Sequence, residues 1–198
     1  VNSSTTAWPP VLAASLLALT LPHSAYGHAP LVAPAPAKCL KSQKDSRGRS
    51  SVDGTEIAWE DETKYDDARA HAVRAWSTRD LNKIKFPKDD ASRVADLEWS
   101  DVNKNTGRWK DVGAGWTPFP GTDSIRMNDA YLGAGKRFGT RAKRRLVGAH
   151  ELGHALGFCH KSASWYPTLM APNVHDAPAD GKPTRRDRAN YQALWRTS

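Results

Sequence analysis

The sequence predicts an α+β domain: a sheet of short strands, a long first helix, a second helix carrying closely spaced histidines, and a C-terminal helix. Three observations predict it. Tyr65, Ala68, Ala72, Val73 and Trp76 recur at the spacing of one helix face. Residues 95–99 alternate apolar and polar side chains, as a half-buried strand does. The elements also follow one another as strand, helix, three strands, helix and a last helix, with turn-forming residues between them.

Residues 11–21 form an apolar run too short to span a bilayer comfortably but as long as the core of a signal peptide. Pro22 breaks the run, and Ala25-Tyr26-Gly27 offers small residues at a cleavage site. Residues 1–27 are therefore expected to be a signal peptide, and the mature chain to be secreted. Residues 28–37 are rich in Ala and Pro and predict an extended spacer, which a polar loop around Cys39 continues to residue 50. The folded domain is expected to occupy residues 51–198.

Within that domain residues 56–59 predict a first strand, and a helix follows over 63–81. Thr63 with Asp66 three residues on resembles a capping box. His71 lies beside the apolar face and is expected to be partly exposed. Residues 82–86, 95–99 and 124–128 predict further strands. The stretch 113–121 contains three Gly and two Pro and predicts a surface loop. Thr140 is a good N-cap for the histidine helix, although Arg141, Lys143, Arg144 and Arg145 crowd the end where the helix dipole disfavours cations. Leu146, Val147, Leu152 and Leu156 supply its core contacts. Residues 161–175 predict a loop. A last helix starts at Thr184, with Asp187 three residues on and Tyr191, Leu194 and Trp195 as its packing stripe.

A chain of 198 residues with 39% apolar and 25% charged residues is that of one soluble domain with one core. The net charge of +8 comes with no nucleic-acid motif, and the tryptophans are not interleaved with the basic residues. A solvated basic surface follows, with nucleic acid excluded as a partner, no stable membrane span, and a monomer expected.

The chemistry lies in His150-Glu151-Leu152-Gly153-His154-Ala155-Leu156-Gly157-Phe158-Cys159-His160. Residues four apart share one helix face, so His150 and His154 can bind one cation from the same side. Glu151 is rotated away from direct ligation yet within reach of a water on the metal. Gly157 suits the left-handed residue that ends a helix, after which the chain can return His160 as a third ligand. Three neutral nitrogens and one open position are the catalytic style of zinc site.

This stretch resembles the HExxHxxGxxH motif of the metzincin zinc endopeptidases. Thr168-Leu169-Met170 resembles their Met-turn, with Met170 as the floor beneath the metal. The stretches 68–77, 84–86 and 95–99 look like the first helix and next two strands of the matrixin (matrix metalloproteinase-like) branch. The resemblance spans about residues 55–196. It implies a zincin/metzincin-like fold with a twisted, mostly parallel sheet of four to five strands, one catalytic Zn2+, and Glu151 as general base in peptide hydrolysis. It further implies Pro172 and Val174 in the wall of a substrate pocket. Ile125 and Met127 would lie on the edge strand that pairs with an extended peptide or protein substrate. Val174 stands where that branch usually has Tyr. Residues 113–123 contain no His, so a second, structural zinc is not expected, and no motif assigns a Ca2+ site to the aspartates. The inhibitory PRCGxPD motif is absent around Cys39.

Two cysteines in an exported chain, Cys39 and Cys159, suggest one disulfide; the alternative is a Cys39 thiolate capping the zinc. Two other activities fit the motif. One is a catalytically silent zinc-binding or adhesion domain, which would have no use for Glu151. The other is a zinc hydrolase of non-peptide amides, disfavoured by the family resemblance alone.

Overall fold

The computed structural model describes residues 35–196 apart from 91 and 165. The expected signal peptide and most of the Ala/Pro spacer lie outside the described residues. Four strands, β1 (Trp59–Asp61), β2 (Leu97–Val102), β3 (Ala114–Thr117) and β4 (Asp123–Asn128), form one sheet in the order β1-β2-β4-β3. β1, β2 and β4 are parallel, and β3 runs antiparallel to β4. β2 shows the expected alternation, burying Leu97 and Trp99. β4 buries every residue but Arg126, as an inner strand covered on both faces must.

The helices are α1 (Asp66–Trp76), α2 (Asp129–Leu132), α3 (Arg141–Ala155) and α4 (Arg185–Leu194). α1 and α3 pack closely because the contact is built from small residues: a Cβ on Gly148 would lie 3.3 Å from the Ala68 carbonyl oxygen. Trp76 closes this interface. Its ring stacks on Phe158 and Tyr191, with centroids 5.4 and 6.4 Å away, and its indole N–H donates to the Ala149 carbonyl at 2.8 Å. At α4, Thr184 and Asp187 form the expected capping box. No helix among the described residues is long and apolar enough to cross a membrane.

Several expectations are corrected. The first helix starts at Asp66, because the Thr63 hydroxyl bonds Asp101 on β2 at 2.5 Å instead of capping the helix. It ends at Trp76, and a separate 3₁₀ turn spans Arg79–Leu81. Residues 82–86 form no strand. They run beside residues 55–59 through isolated bridges, and Pro87, which has no N–H, lies next in the chain. The Gly/Pro-rich stretch 113–121 is not all loop, since it contains β3, which is the edge strand of the sheet. Ile125 and Met127 are therefore not edge residues: they sit on inner strand β4, fully buried. Pro118 and Pro120 fall after the strand, where they break no ladder. His71 is buried and its Nε2 lies 3.0 Å from the Gly181 carbonyl oxygen.

The polar stretch before residue 51 is packed on the domain. Backbone N–H groups of Leu40, Ser46 and Ser51 donate to the carbonyls of His160, Gly157 and Ala155 at 2.8, 3.0 and 2.8 Å. Cys39 and Cys159 are disulfide-bonded across 120 residues of sequence. Next to them the buried Lys161 ammonium meets both oxygens of Asp45 at 2.6 and 2.5 Å. Burial pushes the Lys161 pKa down, and Asp45 opposes it.

Loss of the bridge in a Cys39→Ser, Cys159→Ser variant is expected to cost about 2–5 kcal/mol, from the loop entropy it removes from the unfolded chain. Urea midpoints of the two proteins measure it.

Candidate metal centre

α3 is capped by Thr140, whose side chain accepts the Lys143 N–H at 3.3 Å. Its length places His150 and His154 one turn apart over the sheet. At its other end Gly157 has φ +89°, its N–H donates to the His154 carbonyl at 2.8 Å, and Phe158 N–H donates to Gly153 at 3.1 Å. This pair of bonds is a Schellman turn, and it needs the left-handed residue that Gly supplies without strain. A Cβ on Gly157 would also come within 2.4 Å of the Ser46 carbonyl oxygen. The turn reverses the chain and returns His160 to the helix face.

The three Nε2 atoms converge. His154 lies 3.1 Å from His150 and 3.2 Å from His160, and His150 lies 3.3 Å from His160. The Nδ1 atoms of His150 and His154 lie 2.7 Å from the carbonyls of Leu169 and Phe158. Donation there fixes the tautomer, so each Nε2 presents a lone pair to the centre. Burial pushes the pKa of both His150 and His154 down to about 4 and lowers that of His160, keeping the rings neutral. Facing lone pairs at this distance repel unless a cation shares them. Edges of this length are what imidazoles at about 2.0–2.1 Å from a tetrahedral zinc produce. The residues fit zinc in number, protonation and spacing.

Glu151 is buried in the same cleft. Its Oε2 accepts the backbone N–H of Trp116 on β3 at 2.8 Å, while Oε1 takes no hydrogen bond from the described residues. Burial pushes its carboxyl pKa up, opposed first by the neighbouring His154.

Met170 packs beneath α3: a Cβ on Gly153 would fall 2.3 Å from its sulfur, so glycine there makes room for the methionine. The turn before Met170 is held by the buried Asp187 carboxylate. It accepts the Thr168 hydroxyl, the Leu169 N–H at 2.9 Å and the Thr184 N–H at 2.8 Å. One carboxylate thus caps α4 and fixes the carbonyl that orients His150.

A cleft of about 350 Å³ runs past the histidines and Glu151, between β3 and the segment after Met170. Pro172 and Val174 line it, and Ile125 and Met127 do not. The sequence reading missed Trp116, the Asp45–Lys161 pair and the second role of Asp187. Only Asp187 left a signal, as the third residue of a capping box. The other two act through a backbone N–H and a contact across 116 residues of sequence.

No family model and no curated protein matches this chain. Among solved structures 73 chains match. One is myroilysin, a metzincin-family metalloprotease, with a TM-score of 0.50 over 78% of this chain and 98% of that one, at 11% identity. The fold is metzincin-like.

The metal-free protein is expected to lose stability as pH falls from about 6.5 to about 4. Unfolded imidazoles take up protons near the upper value. The folded ones resist until about 4, so the unfolded state binds more protons between the two. Denaturation midpoints across that window check it; added zinc should raise the midpoint at neutral pH and a chelator should reverse the gain.

Proposed function

We propose that the chain is an exported, zinc-dependent endopeptidase of the metzincin type, nearest the matrixin branch. The observation that carries the reading is Glu151, a carboxylate kept desolvated beside three neutral imidazoles, with one oxygen held by Trp116 and the other free in the cleft. A purely structural zinc site has no use for such a group, and its burial is costly.

His150, His154 and His160 would hold the ion. Zinc so held supplies a hydrolytic water with a pKa near 7 and polarises the scissile carbonyl. Glu151 takes the water's proton on its free oxygen and passes it to the nitrogen of the leaving amine. The Trp116 N–H fixes the other oxygen, so the carboxylate does not rotate between the two transfers. An extended peptide adds along the outer edge of β3, and one side chain enters the cleft between Val147 and the Pro172–Val174 wall. The metzincin-like fold and the motif support the peptidase class. Pro172 and the stretches 68–77 and 95–99, which overlap α1 and β2, support the matrixin branch. The apolar run in residues 11–21 and the disulfide support export.

Glu151→Gln should bind one equivalent of zinc as the wild type does, while peptide turnover falls by a factor of about 10² to 10⁴ or more. Metal analysis and a peptide-cleavage assay on the same preparation read both. Wild-type turnover in the zinc-loaded variant would sink the reading.

A further inference from the structure

A second cleft, of about 230 Å³, meets the first at the histidines, and the two share Trp116, His154 and His160. Glu151 lines the first and not the second. The outer wall of the second cleft is the N-terminal segment, through Gln43 and Arg49, and Phe158 lies along it. That segment is fixed in place by the disulfide, by Asp45–Lys161 and by its backbone bonds to residues 155–160.

The segment that supplies the wall is cationic, and Arg49 is its one cation in the cleft lining. Residues 38–49 carry Lys38, Lys41, Lys44, Arg47 and Arg49 against a single carboxylate, Asp45. Asp45 is neutralised by Lys161, which meets both of its oxygens. Arg47 turns away to the C-terminal helix, where it donates to the carbonyls of Leu194 and Arg196 and lies over the Trp195 ring. Arg49 remains at the cleft. It donates to the Lys44 carbonyl at 2.7 Å and, among the described residues, forms no ion pair. A guanidinium with one nitrogen anchored and the rest of its fork free is suited to a carboxylate.

We infer that this second cleft is a subsite for an acidic side chain of the substrate, bound by Arg49 with Gln43 beside it. It lies on the opposite side of the scissile bond from the main cleft. The inference rests on the peptidase reading above. A substrate paired along β3 passes Trp116, which lines both clefts, so the charge of the N-terminal segment bears on which peptides are cut. The same charge field steers acidic substrates toward the site at low ionic strength.

The test starts from a peptide that the zinc-loaded protein cleaves, found in a mixed library. Matched versions then carry Glu, Gln or Lys at each of the first three positions on either side of the cleaved bond. At one position on one side only, Glu should exceed Gln in kcat/KM by roughly fivefold at low salt, a margin that shrinks as salt screens the pair. Arg49→Glu should reverse the order in favour of Lys. Lys182→Glu, which changes net charge equally but lies outside the cleft lining, should keep the preference for Glu. Binding of the same peptides to zinc-loaded Glu151→Gln protein should follow the same order. Cleavage without charge preference, or a preference for Glu that survives Arg49→Glu, overturns the subsite and leaves the peptidase reading standing. Failure of stoichiometrically zinc-loaded protein to cleave any peptide removes that reading, and the subsite with it.

Discussion

Three imidazole Nε2 atoms are held 3.1–3.3 Å apart, and those of His150 and His154, whose far nitrogens are engaged, face each other with lone pairs that repel until a cation lies between them. A chain can hold such an arrangement only if its neighbours leave the rings nowhere else to go. The Leu169 and Phe158 carbonyls set two rings by their far nitrogens, and each carbonyl is itself fixed. Leu169 belongs to a turn pinned by Asp187, and Phe158 closes a Schellman turn made by Gly157. The helix beneath is locked by Trp76, by the close approach at Gly148 and by Met170 under Gly153. Preorganisation of this kind would lower the cost of collecting ligands around a bound cation.

Charge is arranged around that centre in a way that composition does not reveal. The cations at the start of α3 oppose its dipole, but two of them, Arg141 and Arg145, share the Asp67 carboxylate of α1 at 2.9 and 3.2 Å. Arg144 donates to the Leu132 carbonyl at 2.8 Å and lies over the Tyr65 ring. A helix end that looks unfavourable in isolation becomes a junction between helices. Lys161, beside the third histidine, is buried at a cost that a bidentate Asp45 offsets. Because Asp45 belongs to the N-terminal segment, the same ion pair and the disulfide hold that segment against the site. A stretch whose composition is that of a polar loop thereby becomes a wall of the cleft.

The motif, the helix that bears it, the Gly that ends it and the Thr184–Asp187 cap were legible in the sequence, because each depends on residues within one or two turns of one another. So was the mostly parallel α+β architecture, through the order of its elements and a family resemblance that the fold comparison supports. The edge strand was not legible. β3 is written in Gly, Trp and Thr between glycines and prolines, and only pairing with β4 makes it a strand. The assignment of Ile125 and Met127 to the edge failed for the same reason: strand order in a sheet is a long-range property, and a strand written Asp-Ser-Ile-Arg-Met-Asn reads alike at either position.

The sequence alone determined which side chains could hold a metal ion, since ligand type and helical spacing are local facts. Only the tertiary structure decided which backbone groups hold them and what lines the clefts. Trp116 meets Glu151 across 35 residues, Asp187 reaches Leu169 across 18, and Lys161 meets Asp45 across 116. Contacts at such separations follow from burying one shared core. No short stretch of sequence encodes them, because each side of the contact is set by elements that the other side helps to place.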